Sequence, residues 1–339
     1  MNPRSVKSRA QRLGRNKDGI VSLAVPNLWV TPGAGSGIRG PRSVLTVTRR
    51  HFLKASITAG AAAGLASISA QSKQVSINSQ RGGLIDTNVT LGRWPFRRLP
   101  LDDTPALVAK LRKHGVTQAW AGGFDGVFHK DLAAANARLA DECRKHGRGW
   151  LVPFGSVNPK LPGWEEDIRR CVEHHNMPGL RLHPNYHGYK LDDPDFAKLL
   201  SLASERKVVV QLALSMEDER MQSPLARLPH VDAAPLVALV QKFPRLPVVL
   251  LNWHRAVNAD LLRKLAAAGE VFFEIATLEG VGGVAKLLAQ FPLPRVLFGS
   301  FAPLFYFESA LLKLKESSLN EQQDRAVRGG NARQLAAQW

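Results

Sequence analysis

From residue 84 onward, short apolar runs alternate with amphipathic stretches eight times over. This alternation restricts the fold more than any other feature of the chain, because strands in regular succession with helical patterns build a parallel sheet with helical crossovers. The strand candidates are Leu84–Asn88, Gln118–Gly122, Leu151–Val157, Gly179–His183, Val208–Leu214, Pro247–Asn252, Val271–Ile275 and Arg295–Gly299. The helix candidates are Thr104–His114, Asp131–His146, Trp164–His175, Pro194–Arg206, Ala233–Phe243, Ala259–Ala268, Val281–Gln290 and Pro303–Lys315. Eight strand–helix units over about 230 residues make the count of a closed (β/α)8 barrel of the TIM type, one domain spanning residues 84–339. The alternative, a doubly wound sheet, places a Gly-rich phosphate turn after its first strand. Asp86-Thr87-Asn88-Val89-Thr90-Leu91-Gly92 is no such turn.

The net charge of +18 suggests a polyanion partner until its distribution is read. Residues 1–54 hold eleven of the 46 Lys/Arg and one of the 28 Asp/Glu, Asp18, which accounts for +10. The remainder shows no basic stripe with interleaved aromatics and no helix-turn-helix or zinc-finger spacing, so nucleic acid is not an expected partner. There is no apolar run of membrane-spanning length, and no stable membrane span is expected. Cys143 and Cys171 both fall in helix candidates and are read as buried thiols.

The basic front end reads as an address. Thr48-Arg49-Arg50-His51-Phe52-Leu53-Lys54 precedes an uncharged, small-residue stretch from Ala55 to Ala70. A basic region, a mildly apolar region and a small-residue cleavage site make a signal peptide, and paired arginines before Phe-Leu-Lys match the twin-arginine type. Residues 48–70 are therefore expected to direct export to the periplasm or cell envelope, with 71–83 as a linker. Residues 1–47 lack periodicity and are expected to be a disordered leader, the natural start lying nearer Val44 or Val47.

Four segments carry a family resemblance. Ile85-Asp86-Thr87-Asn88-Val89-Thr90-Leu91-Gly92, Gly179-Leu180-Arg181-Leu182-His183-Pro184, Arg295–Pro303 and Gly330-Asn331-Ala332-Arg333-Gln334-Leu335 resemble, in order and spacing, the amidohydrolase family 2, which contains decarboxylases of aromatic acids and related hydrolases. The resemblance implies a divalent metal held by two histidines of the first strand, a histidine of the fifth and an aspartate of the eighth. Those positions fall here at Asn88, Thr90, Ala213 and Phe301, and the family's sixth-strand histidine falls at Asn252. Alanine and phenylalanine carry no donor atom, and neutral amide or hydroxyl oxygens suit zinc poorly. No cofactor is expected, a divalent metal being admissible only at a relocated site.

In a barrel the chemistry sits where strands end. His183, Glu274 and His254 are the catalytic candidates, histidine because it titrates near neutrality, Glu274 because a carboxylate in an apolar strand faces a pocket or needs a buried partner. Arg93, Arg97, Asp125, Arg181, Tyr186 and Asn252 are the substrate-binding candidates, since guanidinium forks bind carboxylates and aromatics wall small-molecule sites. For His183 and His187 a packed, hydrogen-bonded histidine is the competing reading. For Ser215-Met216-Glu217-Asp218-Glu219-Arg220 it is a solvated loop, and for Arg93-Trp94-Pro95-Phe96-Arg97-Arg98 it is aromatic plugs with solvated arginines. Three functions stay open: a barrel acting on a small, anionic organic molecule without the metal, a non-catalytic barrel used for binding or assembly, and a hydrolase or decarboxylase with a relocated metal. A homo-oligomer stays open too.

Overall fold

The computed structural model describes residues 83–338. The leader, the signal segment and most of the linker lie outside the described residues.

Eight strands pair in sequence order, each parallel to the next. They are β1 Leu84–Leu91, β2 Val116–Gly123, β3 Leu151–Gly155, β4 Gly179–Leu182, β5 Val209–Ala213, β6 Val248–Leu251, β7 Val271–Glu274 and β8 Val296–Leu297. The sheet closes on itself: Thr87 N donates to Phe298 O at 2.9 Å, Phe301 N to Asn88 O at 2.8 Å and Thr90 N to Ala302 O at 2.9 Å. The protein is a (β/α)8 barrel.

The helices, in chain order, are α1 Thr104–Lys113, α2 Asp125–Phe128, α3 Leu132–Gly147, α4 Trp164–Arg169, α5 Pro184–His187, α6 Pro194–Glu205, α7 Leu236–Lys242, α8 Ala259–Ala268, α9 Gly283–Leu288, α10 Phe307–Glu316, α11 Glu321–Arg325 and α12 Asn331–Ala336. Several begin where the sequence offers an oxygen to the unpaired first-turn N–H groups. Asp103 accepts from Ala106 N, Asp131 from Ala134 N, Asp193 from Asp195 N and Asn258 from Leu261 N. The expected helix from Trp164 to His175 changes to a wide π turn at Arg170–His174. The one expected from Pro303 begins four residues later, at Phe307. None of the helices among the described residues is long and apolar enough to cross a membrane. Cys143 and Cys171 are free and buried.

Strands buried on both faces read as continuous apolar runs, and β5 and β6 are buried at every residue. Their alternation separates two layers. Val210, Leu212, Val248 and Leu250 join the helices in the larger core, while Trp120, Phe154, Val209, Val249, Phe272 and Leu297 form the smaller one inside the barrel. Gln211 is two residues from Val209, and Glu274 two from Phe272. Both polar side chains therefore share the interior face and lie at its C-terminal end.

Candidate functional site

A polar layer closes the top of the barrel interior. Arg181, the register partner of Gln211 on β5, points its guanidinium across the barrel. Its Nε donates to Gln211 Oε1 at 2.7 Å, Nη1 to Val89 O at 2.7 Å and Thr90 Oγ1 at 3.3 Å, and Nη2 to Trp120 O at 3.0 Å. Gln211 passes the network on by donating to Thr87 O at 2.8 Å. Beside it, Asn88 Nδ2 donates to Asn252 Oδ1 at 3.0 Å, and Asn252 Nδ2 to Ser215 O at 2.8 Å. Glu274 receives Asn252 N at 2.7 Å and Ala276 N at 2.5 Å.

Asp86 is held similarly, by Ser300 Oγ at 2.5 Å, Ser300 N at 3.0 Å and Asn88 N at 3.1 Å. Arg181, Asp86 and Glu274 are all buried, and burial disfavours the charged form of each. It raises the Asp86 carboxyl to about 7, against the hydrogen bonds from Ser300 and Asn88 that favour the anion. Burial raises Glu274 as well, and lowers Arg181 to about 9 against the pull of both carboxylates.

Above this layer the mouth is divided. On the β1–β4 side Trp94 packs against Phe96, Phe124, Phe128 and Tyr186 with ring centroids 5.2–6.3 Å apart, and the group plugs that half. On the β5–β8 side a cavity of about 460 Å³ remains open, within the size range of small-molecule sites. Met216, Ala276, Leu278, Phe301 and Phe305 supply its apolar wall, and Ser215, Asn252, Thr277 and Lys313 bring polar groups to it. Asn252 and Phe301 both hold left-handed backbone, φ 55° and φ 57°. That is tolerable for asparagine but an outlier for phenylalanine, and such strain clusters at functional sites.

The acids around the cavity are largely neutralised by arginines. Glu217 is buried and paired with Arg97, Asp218 lies 2.8 Å from Arg220 and 3.4 Å from Arg255, and Glu279 lies 2.9 Å from Arg255. The Arg97–Glu217 pair ties the loop after β1 to the loop after β5, across 120 residues of sequence. Lys313, on α10, donates to Ala276 O at 2.6 Å. Among the described residues no carboxylate pairs with it directly. Burial lowers its amine below the usual lysine range, although Glu274, Glu279 and Glu316 pull the other way.

The candidates named from sequence separate accordingly. Asn252 and Ser215 reach the cavity. Glu274, expected to line it, is fully buried beneath, its oxygens held by backbone N–H groups. Arg181, expected to bind substrate, is likewise consumed by the barrel. His183 is buried on the plugged side, 5.9 Å from the His187 ring. Burial and the neighbouring His187 and Arg181 hold its pKa well below the usual histidine value, and its buried Nδ1 has no hydrogen-bond partner among the described residues. His187 bonds Gly126 O at 3.0 Å.

His254 faces a separate groove with Trp253, Val257 and Leu287, its ring beside Trp253. Arg93 is exposed, Asp125 is paired with Arg138 at 2.8 Å, and Tyr186 belongs to the aromatic plug, its phenol pushed by burial up to about 12. Arg97 acts on Glu217 rather than standing free. Sequence reasoning missed Lys313, Phe305 and Asp86. Asp86 stood inside a quoted motif, but Lys313 looks like any lysine on an amphipathic helix.

An eight-stranded β/α barrel with a cavity over β5–β8 is a scaffold that enzymes of many kinds share, and comparison narrows it. The family model described as Amidohydrolase matches residues 86–335, so the chain belongs to the amidohydrolase family. No curated protein sequence matches it. Among solved structures it is similar to a putative amidohydrolase from Staphylococcus aureus (12% identity, TM-score 0.60, covering 76% of this chain and 100% of that one). It is also similar to 5-carboxyvanillate decarboxylase from Sphingomonas paucimobilis (17%, 0.58, 75% and 98%). A third is dihydroxybenzoic acid decarboxylase from a Polaromonas species, solved with bound manganese and 2-nitroresorcinol (14%, 0.57, 75% and 96%).

Proposed function

We propose that this protein binds and decarboxylates a small aromatic or similarly flat carboxylic acid in the cavity over β5–β8, without a divalent metal at the ends of β1, β5, β6 and β8. The observation that carries the reading is the cavity itself: an apolar wall of Met216, Phe301 and Phe305 facing one amine, Lys313, that has no carboxylate partner among the described residues. Glu217, Asp218 and Glu279 already have guanidinium partners and Glu316, exposed at the rim, pairs directly with no cation among the described residues, so the amine is open to an anionic ligand. The decarboxylases of aromatic acids among the structural neighbours support the same substrate class.

The neighbour solved with manganese makes the metal the point to test. The donors present here do not fit one. Ala213 and Phe301 offer no atom, Asn252 Oδ1 is taken by Asn88 Nδ2, Thr90 Oγ1 faces the Arg181 guanidinium, and the buried Asn88 Oδ1, which has no partner among the described residues, is a single neutral oxygen. A fixed positive charge beside neutral oxygens opposes a divalent cation. Among the described residues no group of three or more His, Cys, Asp or Glu is arranged to hold one. The chain's own residues would position the acid: the aromatics clamp its ring, Asn252 offers a hydrogen bond, and Lys313 holds the carboxylate. Export by the twin-arginine route, inferred from Arg49 and Arg50, belongs to this proposal.

The test is a panel of hydroxybenzoic acids added to protein purified without chelators. Binding at a hundredfold excess over Kd adds about 2.7 kcal/mol of stability, which raises Tm by several degrees, and turnover is read as loss of the acid's ultraviolet absorbance. Metal content is expected to stay far below one ion per chain, with neither Tm nor turnover changed by EDTA. Stoichiometric manganese or zinc that EDTA removes together with activity would overturn the metal-free part. A panel without any Tm shift or turnover would overturn the substrate class.

A further inference from the structure

Lys313 has a surrounding that a charge anchor does not need. Its amine lies at the wall of a cavity open to small molecules, held by one neutral acceptor, the Ala276 carbonyl, at 2.6 Å. Most lysines of this chain that meet a carboxylate do so on the surface: Lys160 with Asp193 and Asp195, Lys198 with Glu165, Lys264 with Asp260. Lys313 is half-buried in the wall of the cavity that Phe301 and Phe305 also line, and Glu274, Glu279 and Glu316 influence it without a direct ion pair among the described residues. The local neutral acceptor does not fix a proton as a carboxylate would, and the partly apolar wall favours the uncharged amine. A lysine amine whose protonation is weakened by burial, set at the wall of a partly apolar cavity, is the arrangement in which lysine attacks a carbonyl carbon.

We propose that Lys313 is a nucleophile that forms an imine with a ketone or aldehyde group of a ligand bound in the cavity. The step balances without a further reactant. The Lys313 nitrogen bonds the carbonyl carbon, the carbonyl oxygen leaves as water, and one proton taken up leaves a cationic iminium. Where the ligand is a β-keto acid, the iminium accepts the electron pair of the C–C bond as carbon dioxide departs. The resulting enamine takes a proton on carbon, and water then releases the product ketone and the free amine. The iminium thus supplies the electron sink, and no metal is called upon. The inference rests on the cavity being the substrate site, and it deepens that reading by giving the amine a covalent role.

Reductive trapping tests it. The full-length protein is incubated with acetoacetate, or separately with 4-hydroxybenzaldehyde, in the presence of sodium cyanoborohydride at neutral pH, and modified lysines are located by peptide mass mapping. Lys315, exposed on the same helix two residues away, is the internal reference. Expected is a secondary amine on Lys313 formed several-fold faster than on Lys315, and suppressed when a non-carbonyl acid such as benzoate fills the cavity. The Lys313→Arg variant, whose guanidinium does not form an imine under these conditions, is expected to lose the adduct while Lys315 is labelled as before. Labelling of Lys313 no faster than Lys315 would overturn the proposal even if acids bind. Selective labelling in a protein whose Tm no acid moves would sustain it while removing the aromatic-acid reading above.

Discussion

Replacing Arg181 with methionine is expected to destabilise the protein by about 3–5 kcal/mol, the range found when one member of a buried charged network is removed. The guanidinium is the cross-brace of the barrel top: it bonds the backbone of β1 at Val89 and of β2 at Trp120, and the Gln211 side chain of β5. Methionine fills a similar volume but removes the charged donor from Val89 O, Trp120 O and Gln211 Oε1, each such bond being worth about 1.5–3 kcal/mol. Loss of the cost of burying a charge offsets part of this. Lysine is no substitute, because one ammonium cannot span the three directions that the planar fork reaches. Urea unfolding of Arg181→Met and Arg181→Lys measures it. A change below about 1 kcal/mol together with lost ligand binding would return Arg181 to the substrate-binding role its sequence position suggested.

Arg181 also illustrates what the sequence made legible. Apolar runs at regular spacing located all eight strands, because strands covered on both faces must be apolar throughout, and the helices expected from Thr104, Pro194 and Ala259 begin at those residues. Direction along a strand was readable too: the interior face holds Arg181, Gln211 and Glu274 as period-two alternation requires. What alternation cannot tell is whether an inward polar side chain reaches a cavity or is roofed over. That depends on loops. The Trp94–Phe124–Phe128–Tyr186 cluster packs together over the β1–β4 half, and His183, at the end of β4, is buried beside His187. A loop of arginines and aromatics fits either a binding wall or a plug by composition, and the ring contacts decide for the plug. Lys313 escaped because its helix carries charges on several faces. Only the approach of α10 to the segment after β7 sets one amine against Ala276.

The Asp86→Asn variant is expected to separate from the parent protein in proportion to pH. Asp86 has an ordinary pKa of 3.8 and about 7 in the folded barrel, burial being the main cause. Between those values the folded state keeps a proton that the unfolded chain has lost, so unfolding releases it and stability falls as pH rises. The contribution is complete below pH 4, declines from about 4 to about 7, and is flat above. A rise from 3.8 to about 7 corresponds to about 4 kcal/mol over that window. Glu274, also raised by burial, adds a slope of the same sign, whereas Glu166, lowered to about 2 by Arg169 and Arg170, acts in the opposite sense at more acid pH. The comparison of parent and variant isolates Asp86 from both.

Asparagine suits the site. Its oxygen can accept Asn88 N and Ser300 N as Oδ1 does now, and its amide can donate to Ser300 Oγ, which accepts Ala302 N and has a second lone pair. The two proteins should therefore differ little near pH 4 and diverge from there to about pH 7, above which the variant stays the more stable by a constant margin. Urea midpoints at pH 5, 6, 7 and 8 measure the divergence. Parallel curves would mean that Asp86 is ionised in the folded barrel throughout. The Arg181 guanidinium would then be its effective counter-charge, and the top of the barrel would hold a buried ion pair where a neutral carboxyl is expected.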